Sequence, residues 1–436
     1  MTERSLLAAV SGIEANQSLL DDIGNNIANS DTVGYKSQDL EFQDLLAEQL
    51  AGAAAPPAGG GGAGVNPVAI GSGVSVGAVA TNLSEGSLEE TGVNTDVAIQ
   101  GNGYLVVEQG GVQYYTRDGS LTVDANGDLS TQNGGLVLGW QASGTGVLDT
   151  NAPLTGIQIP TGETIPASAT TQLTLGGNLP AWNGVGTAPT VVTTTLDAYD
   201  ALGDVVPVTL TFTGVAGTAN TWTMQGTVPN PAGGTDDLWT TPPTIAFDPS
   251  TGQVSTVTGS TTNADGSLAV AVSAMPAGYT FSSGDTWDFE FPAPSSGAAL
   301  TQFAVQQTAA LQSQNGYASG ALQSYNVGDN GVITGTFSNG NTQALAQISL
   351  ATFANPGGLS LQGNGLYAVT GNSGQAEVGP PAAGGRGSLL GGELEQSNVD
   401  LGNELTNLIT AQEAYEANTK VISTTQQSIA SLEAIQ

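Results

Sequence analysis

Residues 401–429 read LGNELTNLITAQEAYEANTKVISTTQQSI, and Leu401, Leu405, Leu408, Gln412, Tyr415, Thr419, Ile422, Gln426 and Ile429 fall in alternating steps of three and four. That spacing lays side chains along one seam of a helix. A second ladder of the same kind stands at the other end of the chain: Leu6, Val10, Ile13, Gln17, Leu20, Gly24 and Ile27. Between the two lies a glycine-rich body with almost no helical period. Termini that each carry a seam are suited to pairing with each other or with neighbouring copies, which is the layout of a subunit built to assemble. The candidate oligomerisation residues are Leu6, Val10, Ile13, Leu20, Ile23, Ile27, Leu401, Leu405, Leu408, Tyr415, Ile422 and Ile429. The same stripes also fit two antiparallel helices packed in one monomer. A two-helix pair alone is marginal in water, which favours bundling between copies.

Working outward, residues 3–29 read as one amphipathic helix, weakened at Gly12 and Gly24 by roughly 1 kcal/mol each relative to alanine. Residues 38–50 suit a second short helix through Leu40, Phe42, Leu45, Leu46 and Leu50. Residues 51–64, AGAAAPPAGGGGAG, read as a flexible linker, since four successive glycines hold neither helix nor packed face. From about Pro67 the period drops to two, and turn signals such as Asn126-Gly127 mark hairpins. From about 142 to 312 the composition shifts to Thr, Pro and Gly with short alternating runs such as Thr286-Trp287-Asp288-Phe289-Glu290-Phe291, and from Gln314 the character of residues 67–141 returns. Gly363-Asn364-Gly365-Leu366-Tyr367 even echoes Gly101-Asn102-Gly103-Tyr104-Leu105. Near the C-terminus, Ser397 is the candidate N-cap of a helix reaching 436, with Asp400 three residues on.

The expected fold class is therefore α+β, mainly β: terminal α-helices forming a coiled-coil domain, and two nested antiparallel β-domains. The expected segments are 1–30 with 397–436 for the helices and 31–70 for a connecting segment with the linker. Residues 71–141 with 313–396 form a discontinuous inner β-domain, and 142–312 an inserted outer one.

Composition closes off several functions. The chain of 436 residues carries 38 acidic against 5 basic side chains, a net charge of −33. No basic patch can be assembled to neutralise phosphates, which excludes nucleic acid, and anionic membranes are excluded on the same ground. Charged residues are only 10%, against roughly 25% in ordinary globular domains, so the surface is polar but mostly uncharged. With no cysteine and no histidine, the chain lacks disulfides, thiolate ligands and the commonest general base and metal ligand. No secretory signal pattern opens the sequence, and no apolar run approaches the roughly 18 residues of a membrane span. Asp124-Ala125-Asn126-Gly127-Asp128 has the opening spacing of a calcium loop but not its later glycine and glutamate, and reads as a hairpin turn. Asp197, Asp200 and Asp204 are the candidate carboxylate group, and read as solvated acids on strand edges and turns. No enzyme, cofactor or metal site is expected.

Two terminal stretches carry a resemblance. Ala28-Asn29-Ser30-Asp31-Thr32-Val33-Gly34-Tyr35-Lys36 resembles the N-terminal signature of the bacterial flagellar rod, hook and hook-associated axial proteins, and Ser5-Leu6 to Ile27 the helix before it. Ser397-Asn398-Val399-Asp400-Leu401, with Glu404-Leu405, Ala411-Gln412, Tyr415 and Ala417-Asn418, resembles the C-terminal signature of the same family. The motif residues carried over are Ala28, Asn29, Thr32, Gly34, Tyr35, Lys36, Ser397, Asn398, Val399, Asp400 and Leu401. Tyr115-Thr116-Arg117-Asp118-Gly119 resembles a segment that hook and distal rod members share. Asn315-Gly316-Tyr317-Ala318-Ser319-Gly320, Thr336-Phe337-Ser338-Asn339-Gly340 and residues 351–359 resemble the hook members.

The resemblance implies a tubular homopolymer outside the cell, at the flagellar basal body and hook, that bends as a universal joint while passing torque from rod to filament. It implies type III export, and distal rod, hook cap and hook–filament junction proteins as partners, with no membrane insertion. Few charges and many Thr, Asn and Gly suit contacts that slide, since no ion pair fixes one register; a bending stiffness that varies steeply with salt would contradict this. The rival readings are a distal rod subunit and, in a different class, a secreted β-rich adhesin or glycan-binding protein with Trp182, Trp222, Trp239 or Trp287 exposed.

Overall fold

The computed structural model describes residues 2–53, 66–160, 162, 164–185, 190–282, 284–293 and 299–433. Most of the expected linker, residues 54–64, lies outside the described residues. The chain divides into two compact units: Met1–Pro160 with Tyr325–Gly335 and Gln343–Gln436, and Thr161–Ser324 with Thr336–Thr342. Two terminal helices and a body of strands make the protein α+β and mainly β.

In the first unit, α1 (Thr2–Ala28) and α2 (Leu401–Glu433) pack against each other as an antiparallel pair. Asn26 near the end of α1 donates to Glu404 near the start of α2 (2.9 Å), and Gly12 lies against Asn418. A side chain at Gly12 would meet the Asn418 amide at 2.8 Å, so glycine here permits the close approach that outweighs its low helix propensity. Ser397 is not the N-cap. Asp400 caps α2, its Oδ1 accepting the amides of Gly402 (2.9 Å) and Asn403 (3.2 Å), while the Ser397 hydroxyl accepts from Val399 before the helix begins. A carboxylate directly before the first turn reaches the free amides and complements the helix dipole.

The helix expected over 38–50 is not formed. Gln38–Asp44 is a strand paired antiparallel with Val74–Thr81, and Glu48–Ala51 pairs with Val68–Ile70. The override is tertiary: the Asn26 side chain bonds both the N–H (3.0 Å) and the carbonyl (2.8 Å) of Gln38, holding it extended, and the β-rich run 74–81 supplies a ladder.

The sheet of this unit centres on Tyr104–Gln109. It forms a hairpin with Val112–Thr116 through Gly110-Gly111, both at positive φ. Its other edge takes Leu136–Gln141 and, from much later in the chain, Leu350–Thr352. The echoing segments meet here: Leu366–Ala368 pairs with Val112–Thr116, and Tyr367 stands edge-on to Tyr104 at 5.5 Å. Ser388–Gly391 joins Val97–Gln100, and Glu393–Glu395 joins Leu88–Glu90, delivering the chain to α2. Thr155–Gly156 still pairs with Leu136–Gln141, so the chain leaves this unit later than the change of composition at 142.

The second unit is built from two six-stranded sheets over one core. One runs Val191–Tyr199, Val205–Gly214, Thr221–Pro229, Thr244–Phe247, Val254–Val257 and is antiparallel. The other is organised by Gln172–Pro180, which pairs parallel with Asp288–Phe291 and with Leu300–Phe303. The expectation of antiparallel strands alone is corrected at this point. Between residues 180 and 288 the chain lays down the whole first sheet, and that long crossover is what parallel pairing requires. Trp182, Trp222, Trp239 and Trp287 all lie in the core, none more than 6% exposed.

Candidate functional site: a junction at the base of the terminal helices

Where α1 ends and α2 begins, the two terminal motifs meet. The backbone after α1 turns through Gly34, at φ +67°, where a Cβ would stand 2.7 Å from the Arg117 carbonyl. The Gly34 amide donates to the carbonyl of Glu395 (2.7 Å). Tyr35 donates its hydroxyl to Asn26 (3.1 Å) and accepts from Asn25. Asn398 closes the circuit: its Oδ1 accepts the Ser37 amide (2.8 Å), and its Nδ2 donates to the carbonyls of Asn82 (2.9 Å) and Ser84 (3.0 Å). Asn29 and Thr32 bond to each other within the turn. Ala28 ends α1 exposed, and Val399 leads into α2.

The electrostatic centre is Glu395, whose side chain is fully buried. Lys36 pairs with its Oε1 at 2.5 Å and also reaches the Ser84 carbonyl (2.7 Å). Arg117 pairs with Oε2 at 3.2 Å and reaches the Gly101 carbonyl (2.6 Å). The Gly86 amide adds a further bond to Oε1 (2.9 Å). Burial pulls the Lys36 pKa below its usual value despite the Glu395 contact. One carboxylate thereby ties together the segment leaving α1, Arg117 just after the hairpin strand Val112–Thr116, and the strand entering α2. Glu395 carries no local motif, and sequence reasoning missed it. The usable signal was scarcity: in a chain with five bases, two fall in the matched segments 28–36 and 115–119, and each needs a partner.

The helical seams divide. The face each helix turns to the other uses mostly small or polar residues: Ala9, Gly12, Ala15, Ile23 and Asn26 on α1, and Glu404, Ala411 and Thr425 on α2, all buried. Ile23, expected on the assembly seam, is 2% exposed within this intrachain face and is not available to a neighbour. The larger aliphatic residues of the seams are less fully covered, and Ile27, Ile422 and Ile429, each eighteen positions from Ala9, Glu404 and Ala411, share the faces of those buried residues. Val10, Leu401 and Leu405 are exposed, and Leu6, Ile13, Leu20, Ile27, Leu408, Tyr415, Ile422 and Ile429 are half-buried.

The sites considered for catalysis and glycan binding dissolve. Asp200 is buried, with Oδ1 accepting the amides of Leu202 (2.9 Å) and Asp204 (2.8 Å) and Oδ2 that of Thr280 (3.0 Å), so it holds a turn. Asp197 and Asp204 face solvent. Asp124 is likewise occupied by the amides of Asn126 and Asp128. Among the described residues no cluster of acidic side chains could hold a metal ion, and no helix is long and apolar enough to cross a membrane. Trp182, Trp222, Trp239 and Trp287, expected to be exposed in a glycan reader, are all buried.

Comparison with known proteins decides the family. The flagellar hook protein of Treponema pallidum is 34% identical over 97% of both chains. The chain belongs to the flagellar hook protein family. The Escherichia coli hook protein is 32% identical over 96% of both chains. Four family models tile the sequence: flagella basal body rod protein over residues 6–36, the hook protein FlgE/F/G D1 domain over 98–178, the basal body protein FlaE D2 domain over 186–317, and the rod FlgEFG C-terminal over 390–435. The outer two carry the two terminal motifs that meet at Glu395 and Asn398. The solved hook protein FlgE2 of Helicobacter pylori shares the fold at a TM-score of 0.50 and 14% identity, covering 69% of this chain and 98% of that one. The hook protein family is structural, not enzymatic, and belongs to the flagellum outside the cell.

Proposed function

We propose that this chain is the subunit of a flagellar hook and polymerises with copies of itself through the incompletely covered seams of α1 and α2. The observation that supports this is the incomplete covering of the helical seams within one chain. Mostly small and polar residues are spent on the intrachain contact, while Leu6, Val10, Ile13, Leu20 and Ile27 and Leu401, Leu405, Leu408, Tyr415, Ile422 and Ile429 are left wholly or partly uncovered. Sustained aliphatic seams of this kind are covered in coiled-coil bundles. On this reading residues 1–30 and 397–436 form an inner tube, 71–141 with 313–396 an inner β-layer, and 142–312 an outer one. The connecting segment 31–70 joins tube to layer, and the Lys36–Glu395–Arg117 cluster carries torque across that joint. The polymer bends as a universal joint between rod and filament. Its partners beyond itself are the distal rod, hook cap and hook–filament junction proteins and the type III export machinery.

Negative-stain microscopy of the full-length chain beside a variant lacking residues 1–30 and 398–436 tests this. Tubes from the first and monomers from the second are expected. Tubes from both would sink the helical seam as the assembly element.

A further inference from the structure

A cavity of about 290 Å³ opens in the first unit beside the junction, with Arg117, Tyr104, Asn102, Leu83, Thr352 and Phe353 in its lining. Its chemistry is set by Arg117, which is 6% exposed. Of the five N–H donors of a guanidinium, one goes to Glu395 and one to the Gly101 carbonyl; the remainder make no hydrogen bond within the described chain. The Tyr104 hydroxyl and the Asn102 side-chain amide are likewise uncommitted there. The guanidinium carbon stands 5.5 Å from the centre of the Tyr104 ring. Lys36 and Arg117 share a single buried carboxylate, so the cluster holds one positive charge in excess, with surface-exposed Glu85 the only further carboxylate acting on Lys36. In the chain as a whole the balance runs the other way, at 38 acids to 5 bases, and exposed Arg4 is already paired with Glu48.

We propose that this cavity is a carboxylate-binding pocket that receives an acidic side chain of a second copy of the chain. The proposal rests on the self-assembly reading above. Copies that each carry −33 bring like charges together wherever they touch. A recessed guanidinium flanked by a phenol and an amide is attractive to a neighbour's carboxylate and orients it through fork geometry. Such a pair orients the neighbour more than it adds raw affinity. The volume admits one side chain, not a chain segment.

The test begins with the full-length chain held below its assembly concentration. The sequence has three arginines, Arg4, Arg117 and Arg386, so its arginine 15Nε spectrum has three signals. Titration with acetate, a free stand-in for a side-chain carboxylate, should move the Arg117 signal saturably, while chloride at matched ionic strength should not. Asn102→Asp and Thr352→Asp each place a carboxylate in the lining and should abolish the response. A flat Arg117 signal in the wild-type chain overturns the pocket, whether or not the chain polymerises. The second arm follows assembly by light scattering. Both variants should keep the monomer's unfolding midpoint and raise the critical concentration about tenfold, the factor that 1.4 kcal/mol supplies. An acetate response with an unchanged critical concentration in both variants would assign the pocket to a free anion and overturn the second-copy occupant. An acetate response with no polymer from the wild-type chain would overturn the self-assembly reading, and that occupant with it, while carboxylate binding stood.

Discussion

At the scale of single residues, Glu395 is the most consequential side chain that no local pattern announces. It pairs with two buried cations and accepts a backbone amide hydrogen bond. Removing one partner of a buried ion pair leaves uncompensated charge, at a cost of about 3–5 kcal/mol. Glu395→Gln should therefore lower the stability of the first unit by that amount in urea unfolding, and a loss under about 1 kcal/mol would mean the cluster is hydrated in solution. Asp22 is the second case. It lines the groove between α1, α2 and the strand Gln38–Asp44, facing Glu404 from α2 and Asp39 from the strand. Burial, then these two carboxylates, push its pKa from 3.8 to about 6. A raised folded-state pKa means the folded chain binds the proton more tightly than the unfolded one, so this contribution is full below pH 3.8 and is lost as pH rises through 6. Asp22→Asn should be more stable than wild type at pH 7.5, by about 1 kcal/mol after solvent screening. The two should converge near pH 4, and equal urea midpoints at both pH values would show that Asp22 is fully solvated. Gly34, Tyr35, Lys36 and Asn398 were singled out by the family resemblance of the two terminal stretches, not by any period or spacing. Their partners Asn26, Asn82, Ser84 and Glu395 were not legible, because side-chain hydrogen bonds, whether 9 positions apart as for Tyr35 and Asn26 or 359 as for Lys36 and Glu395, leave no periodic trace in the chain.

At the scale of elements, both terminal helices were readable from period alone, while the face each buries was not. A heptad ladder fixes which residues share a stripe, but two neighbouring stripes of α1 satisfy it, and only contact with α2 says that Ala9, Gly12 and Ile23 lie inward. The strand Gln38–Asp44 is hidden for a related reason: Leu40, Phe42, Leu45 and Leu46 fit a helical period, yet the pairing partner lies some 35 residues downstream across a segment of different composition. The division of faces makes a paired prediction. Leu405, 51% exposed, should tolerate Gln with a monomer stability change within about 0.5 kcal/mol, as surface positions do, while polymer formation is lost. Ala411, 2% exposed, should not tolerate Leu, which overpacks the helix pair by about 1–3 kcal/mol and lowers the monomer's own unfolding midpoint. Urea unfolding and sedimentation of the two variants separate the seams, and the opposite ranking would mean that the intrachain and intermolecular faces have been exchanged.

At the scale of the whole molecule, the change and return of composition was legible, but the second compact unit runs over Thr161–Ser324 with Thr336–Thr342, and the parallel pairs of Gln172–Pro180 were not legible, since strand direction follows from where a long excursion ends rather than from any residue in the strand. Charge is the property that acts on this largest scale. With 38 acids against 5 bases, and three ion pairs among the described residues of which two are buried, nearly all of the acidity remains unneutralised by the chain itself. Two such copies repel over a distance set by salt, with a screening length of about 30 Å at 0.01 M and about 8 Å at 0.15 M. Apolar seam contacts do not weaken with added salt, and the attraction of one guanidinium for one carboxylate is small beside the repulsion of two bodies at −33. The critical concentration for assembly should accordingly fall as sodium chloride rises from about 10 mM to about 150 mM, then level off once screening is shorter than the spacing between surface charges. Light scattering across that series decides the matter: a critical concentration that instead rises with salt would place ion pairs, not aliphatic seams, in charge of holding the copies together.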